Sequence, residues 1–199
     1  MKVKMIVFDL YGTLVYIKQK TNPYSAILKT MPREERGEFV KAILCGEISE
    51  SVGTFRHVNT NDTEKFAIDL FTEIESASLY PDATHVIQKL RRLGYTIGVI
   101  SNLATPYKEP FYQLGLNEIV HHVIFSCDHG YIKPHSTIYG IMRQISGFDF
   151  DEMLMIGDSP KCDVAGPKAV GMHSLPLNRD GNASKKNSIK TLDEILTIL

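Results

Sequence analysis

The segment FDLYGTLV, residues 8–15, closes an apolar run on an acid, Asp9, and turns on Gly12. Three more segments place polar residues at or just after an apolar run: Ser101 and Asn102 in VISNLAT, Lys133 in YIKPHST, and Asp158 with Asp163 in MIGDSPKCDVAG. On neighbouring parallel strands these would converge above one edge of a sheet, and that set of groups suits phosphoryl transfer. A carboxylate attacking phosphorus forms an aspartyl-phosphate and splits one hard displacement into two easier ones. Carboxylate and phosphate repel, so a cation must stand between them. Mg²⁺, held by a few carboxylate or carbonyl oxygens and water, fits that place, with Asp9 and Asp158 as the obvious ligands. Lys133 would neutralise charge on the nucleophile and the phosphoryl oxygens, while Ser101 and the backbone N–H groups near Asn102 would donate to those oxygens. Gly12 lets the chain turn tightly, and Thr13 offers a further hydroxyl. Taken singly, each residue has a plainer reading as a helix cap, strand end, loop lysine or turn. Their joint order, each set at the end of a separate strand, is what points to chemistry.

The elements that would hold these residues are legible in the hydrophobic pattern. Apolar β-rich runs at Val3–Phe8, Tyr95–Ile100, His122–Phe125, Met153–Ile156 and Met172–Leu177 read as strands buried on both faces. Between them the spacing predicts helices at Asp82–Leu93, with Asp82 as N-cap and Gly94 as stop, at Pro134–Ile145, after Asp163 with Pro167 early in the helix, and at Thr191–Leu199 with a Thr191/Glu194 capping box. Strands alternating with helices imply an α/β fold, a Rossmann-like doubly wound parallel sheet. From about residue 16 to 80 no strand is convincing. Helical spacing appears instead at Tyr24–Met31, Glu34–Leu44 and Asp62–Ser76. A core of 1–15 and 81–199 with a small helical cap domain at 16–80 follows, the cap standing over the carboxyl ends of the strands, where open sheets bind ligands. Asn178–Asn187 reads as a polar loop, and its Asn182–Ser184 sequon carries little weight.

Composition narrows the partners. In 199 residues, 22 basic and 23 acidic side chains leave a net charge of −1, so no strong field draws nucleic acid or an anionic membrane. Cys45, Cys127 and Cys162 form no CxxC and are odd in number, against both a disulfide framework and a zinc ribbon. No apolar run approaches a membrane span or a signal h-region. A cytoplasmic protein acting on a small phosphorylated molecule, as monomer or homodimer, is expected.

The four segments resemble the motifs of the haloacid dehalogenase-like hydrolase superfamily: the nucleophile motif at 9–15, the Ser/Thr motif at 101–102, the lysine at 133 and the acidic motif GDSPKCD at 157–163. The resemblance implies Asp9 as nucleophile and Mg²⁺ held by Asp9, Asp158 and the backbone carbonyl of Tyr11, with Asp163 holding metal-bound water or bracing its loop. GPKAVGM at 166–172 is similar to the family's small-residue helix after the acidic motif.

Tyr11 departs from the pattern. Phosphatases of the family usually carry a second Asp there to protonate the leaving oxygen and then deprotonate water. A tyrosine, with an ordinary pKa near 10, is a poor replacement. Tyrosine at this position resembles the 2-haloacid dehalogenase branch, which displaces halide without metal or leaving-group proton. The acidic pair Asp158 and Asp163 weighs the other way, since such charges beside a nucleophile call for a cation. The expectation is a slow or specialised Mg²⁺-dependent phosphatase in which a good leaving group, a water, or His129 or His135 covers the missing proton transfer. A dehalogenase and a weakly active Mg²⁺-binding regulatory protein are the alternatives. Arg33, Arg36 and Arg56 are candidates for a substrate anion or for a wet helix face, and Cys162 for a lowered thiol pKa or plain packing.

Overall fold

The structure, a computed structural model, describes residues 3–46, 60–181 and 187–199, with the backbone alone at 60–62. Among the described residues, seven strands run β1 Met5–Phe8, β2 Val15–Ile17, β3 Ala77–Leu79, β4 Thr96–Ser101, β5 His122–Phe125, β6 Met153–Gly157 and β7 His173–Pro176. Ten helices among the same residues run α1 Pro23–Thr30, α2 Arg36–Leu44, α3 Thr60–Glu75, α4 Ala83–Arg92, α5 Glu109–Gln113, α6 Leu116–Ile119, α7 Ser126–His129, α8 Ser136–Ser146, α9 Gly166–Ala169 and α10 Ile195–Ile198.

Five strands form one parallel sheet in the order β5-β4-β1-β6-β7. From β1 the chain builds outward through β4 and β5, then returns to build β6 and β7 on the other side. The order therefore reverses between β1 and β6, and such a switch point leaves a crevice at the carboxyl ends of the strands. Both faces of the sheet are covered, which explains the unbroken apolar strands. Ile6, Phe8, Ile97, Val99 and Ile156 pack with Val86, Ile87 and Leu90 of α4 on one face. Met5, Val7, Ile100, Ile124 and Met155 pack with Ile138, Tyr139 and Met142 of α8 on the other. The expected sheet is thus observed, each strand within two residues of its predicted bounds.

One expectation is corrected. Residues 16–80 were read as free of strand, yet β2 and β3 pair antiparallel with Val15 opposite Leu79 and Ile17 opposite Ala77. Three residues per strand are too few to establish a period-two pattern, so the ribbon leaves no sequence signal. It joins the inserted helices α1–α3 to the sheet at the insertion's two ends. Farther along, α3 meets α5 and α2 meets α7.

A second tie lies beneath the ribbon. Asp82 stands at the head of α4 as expected, but its carboxylate does not cap the helix. It takes two hydrogen bonds from Arg179, at 2.9 and 2.8 Å, and one from the Leu192 N–H at 2.9 Å. Arg179 also donates to the Thr13 carbonyl at 2.7 Å and lies 3.8 Å over the Tyr80 ring. Burial alone would raise the Asp82 carboxyl, but the bonds from Arg179 and Leu192 and the guanidinium charge take it below its ordinary 3.8. The polar loop after β7 therefore carries the residue that locks the turn after β1 to the insertion's return.

Arg179→Met leaves the Asp82 charge without its partner and costs about 2–3 kcal/mol at neutral pH, measured by urea unfolding. Because the Asp82 pKa is lowered in the fold, this contribution is present above 3.8 and fades as pH falls through the folded value. A penalty that persists unchanged in acid would contradict the assignment.

Candidate active site

Asp9 directly follows β1 and Asp158 directly follows β6, so the two acids stand on the two sides of the switch point. The Asp9 N–H donates to the Ile156 carbonyl at 2.9 Å, continuing the β1–β6 ladder to the end of the strand. After β6 the chain enters a wide helical turn, Pro160–Ala165, opened by the Ser159 hydroxyl accepting from the Cys162 N–H at 3.2 Å. This turn brings Asp163 back toward β1, where its carboxylate also accepts from the Ser159 N–H at 3.0 Å. Single-turn wide helices recur at functional sites because they re-aim side chains.

Lys133 completes the centre. Its ammonium is 2.7 Å from an oxygen of Asp9 and 2.7 Å from an oxygen of Asp163, with all three residues buried. Asp9, Asp158 and Asp163 each present a carboxylate oxygen, and these lie within 4.8 Å of one another. Three carboxylates thus face one ammonium. Burial is the main force raising the Asp9 carboxyl to about 6, with the charges of Asp163 and Asp158 adding to it and Lys133 opposing it. For Lys133, burial pulls the amine down, yet the two carboxylates hold its pKa above the ordinary value. Three hard oxygens this close together fit a divalent cation of the Mg²⁺ kind.

Two glycines make room. Gly12 has φ +82, and a Cβ there would lie 2.7 Å from an Asp158 oxygen. At Gly157 a Cβ would collide with the Asp163 carboxylate.

The remaining expected residues are placed as follows. Ser101 ends β4 and is buried. Asn102 spends its side chain on Lys133: its carbonyl accepts from the Lys133 N–H at 2.7 Å and its amide donates to the Lys133 carbonyl at 2.9 Å. The Asn102 side chain thus positions Lys133, while the phosphate contact expected here was through backbone N–H groups. Thr13 is fully buried and its hydroxyl finds no hydrogen-bond partner. Tyr11 donates its hydroxyl to the Tyr107 carbonyl at 2.9 Å, its ring edge-on to Tyr107 with centroids 5.8 Å apart. Burial, with Glu73 adding to it, pushes the Tyr11 pKa well above the ordinary 10. His135 is the exposed N-cap of α8 and accepts from the Thr137 N–H at 3.3 Å; His129 is exposed at the end of α7. Arg36 donates to the Met31 carbonyl, Arg33 is exposed, and Arg56 and the Asn182–Ser184 sequon lie outside the described residues. The Cys162 thiol donates to the Lys133 carbonyl at 3.4 Å.

A second buried knot has no counterpart in any local pattern of the chain. Glu73 of α3 accepts from the N–H groups of Thr21 and Asn22 at 2.8 and 2.7 Å and from the Tyr107 hydroxyl. It fastens the start of the insertion to its last helix and to the core. Beside it opens a cavity of about 510 Å³ between the insertion and the strand ends, reaching the site through Tyr11, Gly12 and Asn102. Among the described residues no helix is long and apolar enough to cross a membrane.

A doubly wound parallel sheet with three acids and a lysine gathered at its switch point places the chain among α/β proteins with a site at the strand ends. Residues 3–171 match the family described as haloacid dehalogenase-like hydrolase, and the chain belongs to that family. Over 97 residues it is 36% identical to the glyceraldehyde 3-phosphate phosphatase of Pyrococcus abyssi. That match takes in 48% of this chain and 40% of the relative, so it spans about two fifths of the relative's length. A 21% identical match to (S)-2-haloacid dehalogenase 4A of Burkholderia cepacia covers 99% of this chain and 95% of that one. Among solved structures, a HAD phosphatase from Thermococcus onnurineus shares the fold with a TM-score of 0.69 at 23% identity, over 98% of this chain and 97% of that one.

Because the fold favours protonated Asp9, the stabilising effect of that proton is complete below 3.8 and lost as pH rises through about 6. Without divalent metal, wild type therefore loses stability relative to Asp9→Asn as pH rises from below 3.8 through about 6. Thermal or urea unfolding in EDTA across that pH range checks it, and a stability difference between the two that does not change with pH contradicts it.

Proposed function

We propose that the chain is a Mg²⁺-dependent phosphatase that hydrolyses a small phosphomonoester through an aspartyl-phosphate on Asp9. The observation that carries this reading is the convergence of the acids: Lys133 bridges Asp9 and Asp163, and Asp158 presents an oxygen within 4.8 Å of oxygens of both. Asp9, Asp158 and the Tyr11 carbonyl, with Asp163 directly or through water, would hold the ion. Bound there, Mg²⁺ supplies charge neutralisation for the approaching phosphate and for the developing transition state.

In this reading Lys133 holds Asp9 in line and neutralises part of the charge on the phosphoryl group. Ser101 donates to a phosphoryl oxygen. Asn102 grips both backbone polar groups of Lys133, so it positions the ammonium and leaves the phosphate to others. The segment at 16–80 acts as a cap over the crevice, hung from the β2–β3 ribbon and fastened by Glu73.

One observation favours a second reading. Tyr11 is the residue of the metal-free dehalogenase pattern, and the matched Burkholderia protein is a 2-haloacid dehalogenase. There Asp9 would displace halide from carbon. Three acids against one lysine argue against it, because they repel a carboxylate substrate unless a cation is present.

The test is phosphate release from a phosphomonoester panel with Mg²⁺ and with EDTA, beside halide release from 2-haloacids. Expected are Mg²⁺-dependent phosphate release, its loss in Asp9→Asn, and a gain of about 10²-fold in kcat on alkyl phosphates for Tyr11→Asp, which restores a carboxylic acid. Metal-free halide release would replace this reading with the second one.

A further inference from the structure

Resting on the phosphatase reading, we propose that the substrate is the phosphate ester of a phenolic or enolic hydroxyl, its aromatic body filling the cavity between the insertion and the strand ends. Two independent features of that cavity carry the proposal.

The first is its wall. Tyr16, Tyr24, Phe39, Tyr80 and Tyr107 bring five aromatic rings to one cavity, and Leu28 adds an aliphatic side chain. Tyr16 and Tyr80 stand side by side with ring centroids 4.9 Å apart, one on β2 and the other just after β3. Tyr24 and Tyr107 face each other at 6.1 Å. Among the described residues lining the cavity, the charged ones are Lys20, which is exposed, and Glu73, whose carboxylate already accepts three hydrogen bonds. Tyrosine hydroxyls and Asn22 also reach the lining, but apolar surface dominates it, so a sugar or polyol would exchange its water for few partners. A flat aromatic body gains stacking and edge contacts, and about 510 Å³ lies within the usual range of roughly 300–1,000 Å³ for a small-molecule site.

The second is that, among the described residues lining the cavity, the one carboxylate is Glu73, and it is committed to three hydrogen bonds. Tyr11 lines the same cavity, but its hydroxyl proton is committed to the Tyr107 carbonyl. The Tyr107 hydroxyl is committed to Glu73. An alkoxide cannot leave quickly without a proton, whereas a phenolate or enolate can. The wall and the committed acid select the same chemistry.

The step balances without another reactant. A carboxylate oxygen of Asp9 bonds to phosphorus as the P–O(aryl) bond breaks, and the aryloxide departs with the electron pair and is protonated by solvent. Water then attacks phosphorus and the P–O bond to Asp9 breaks. The carboxylate is restored, and dihydrogen phosphate leaves with both of the water's protons.

Four probes separate the two features: 1-naphthyl phosphate (aromatic, good leaving group), 2-phenylethyl phosphate (aromatic, poor leaving group), acetyl phosphate (small, good leaving group) and glycerol 3-phosphate (small and polar, poor leaving group). With Mg²⁺ present, kcat for the naphthyl ester exceeds that for the phenylethyl ester by about 10²-fold while their KM values agree within about fivefold. The naphthyl ester also exceeds glycerol 3-phosphate in kcat/KM by about 10²-fold or more. Leu28→Trp, which fills the cavity, lowers the naphthyl to acetyl ratio of kcat/KM by about tenfold. In Asp9→Asn, which cannot turn over, calorimetry finds naphthyl phosphate bound about tenfold tighter than inorganic phosphate. Phosphate release with a naphthyl preference over glycerol 3-phosphate below about tenfold overturns this inference and leaves the phosphatase reading standing. Release from none of the four overturns both.

Discussion

An ammonium group held between two buried carboxylates sets the terms for the rest of this molecule. Lys133 reaches Asp9 from the end of β1 and Asp163 from the turn after β6, and each contact is 2.7 Å. Burying a lysine is costly unless its charge is met, and here two acids meet it. The surrounding chain is shaped to keep these groups in place. Asn102 clasps the Lys133 backbone from the end of β4, the Cys162 thiol donates to the same carbonyl, and Tyr139 of α8 donates its hydroxyl to the Cys162 carbonyl. Glycines at 12 and 157 stand where a side chain would strike an acid. The centre is over-determined by its neighbours, which is how a fold sustains a cluster of like charges that would otherwise spread apart.

That arrangement ties stability to chemistry in opposite directions. Burial and two neighbouring carboxylates make the ionised form of Asp9 costly, yet the ionised form is the one that can attack. A single lysine offsets part of this and no more. In the proposed reading the divalent ion offsets the rest, and binding it then stabilises the fold as well as the reaction. The parallel sheet tolerates the strain because both of its faces are sealed by apolar side chains, so water reaches the acids only from the strand ends.

What the sequence disclosed follows from which interactions are local. The strands of the sheet were legible because each is apolar on both faces, and the acids were legible because each ends such a run. Helix α8 begins at Ser136, two residues later than its spacing suggested, with His135 as its cap. Other features depend on partners far along the chain, and no local pattern encodes them. Arg179 lies in a stretch that reads as a plain polar loop, yet it meets Asp82 across 97 positions. Glu73 looks like one more acid on a helix until Thr21, Asn22 and Tyr107 converge on it. Asn102 was read beside the phosphate because strand-end amides do bind anions there; only the geometry of its clasp on Lys133 shows the side chain to be spent. The β2–β3 ribbon was missed because three-residue strands carry no period.

Position 11 shows why a single residue can set two properties of a site. A carboxylic acid there would lend a proton to the cavity and would also put a charged, hydrated group against Tyr107. Tyrosine does the reverse on both counts. Its hydroxyl is turned to a backbone carbonyl and cannot serve the leaving oxygen, and its ring extends the aromatic wall from the nucleophile turn to Tyr107. Acidic catalysis and an apolar wall compete for the same position, since a side chain that is easily ionised is also strongly solvated. The chain has taken the wall. Under the phosphatase reading the cost falls on substrates that need a proton to depart, so the residue that looks like a missing catalyst also acts as a filter on leaving groups.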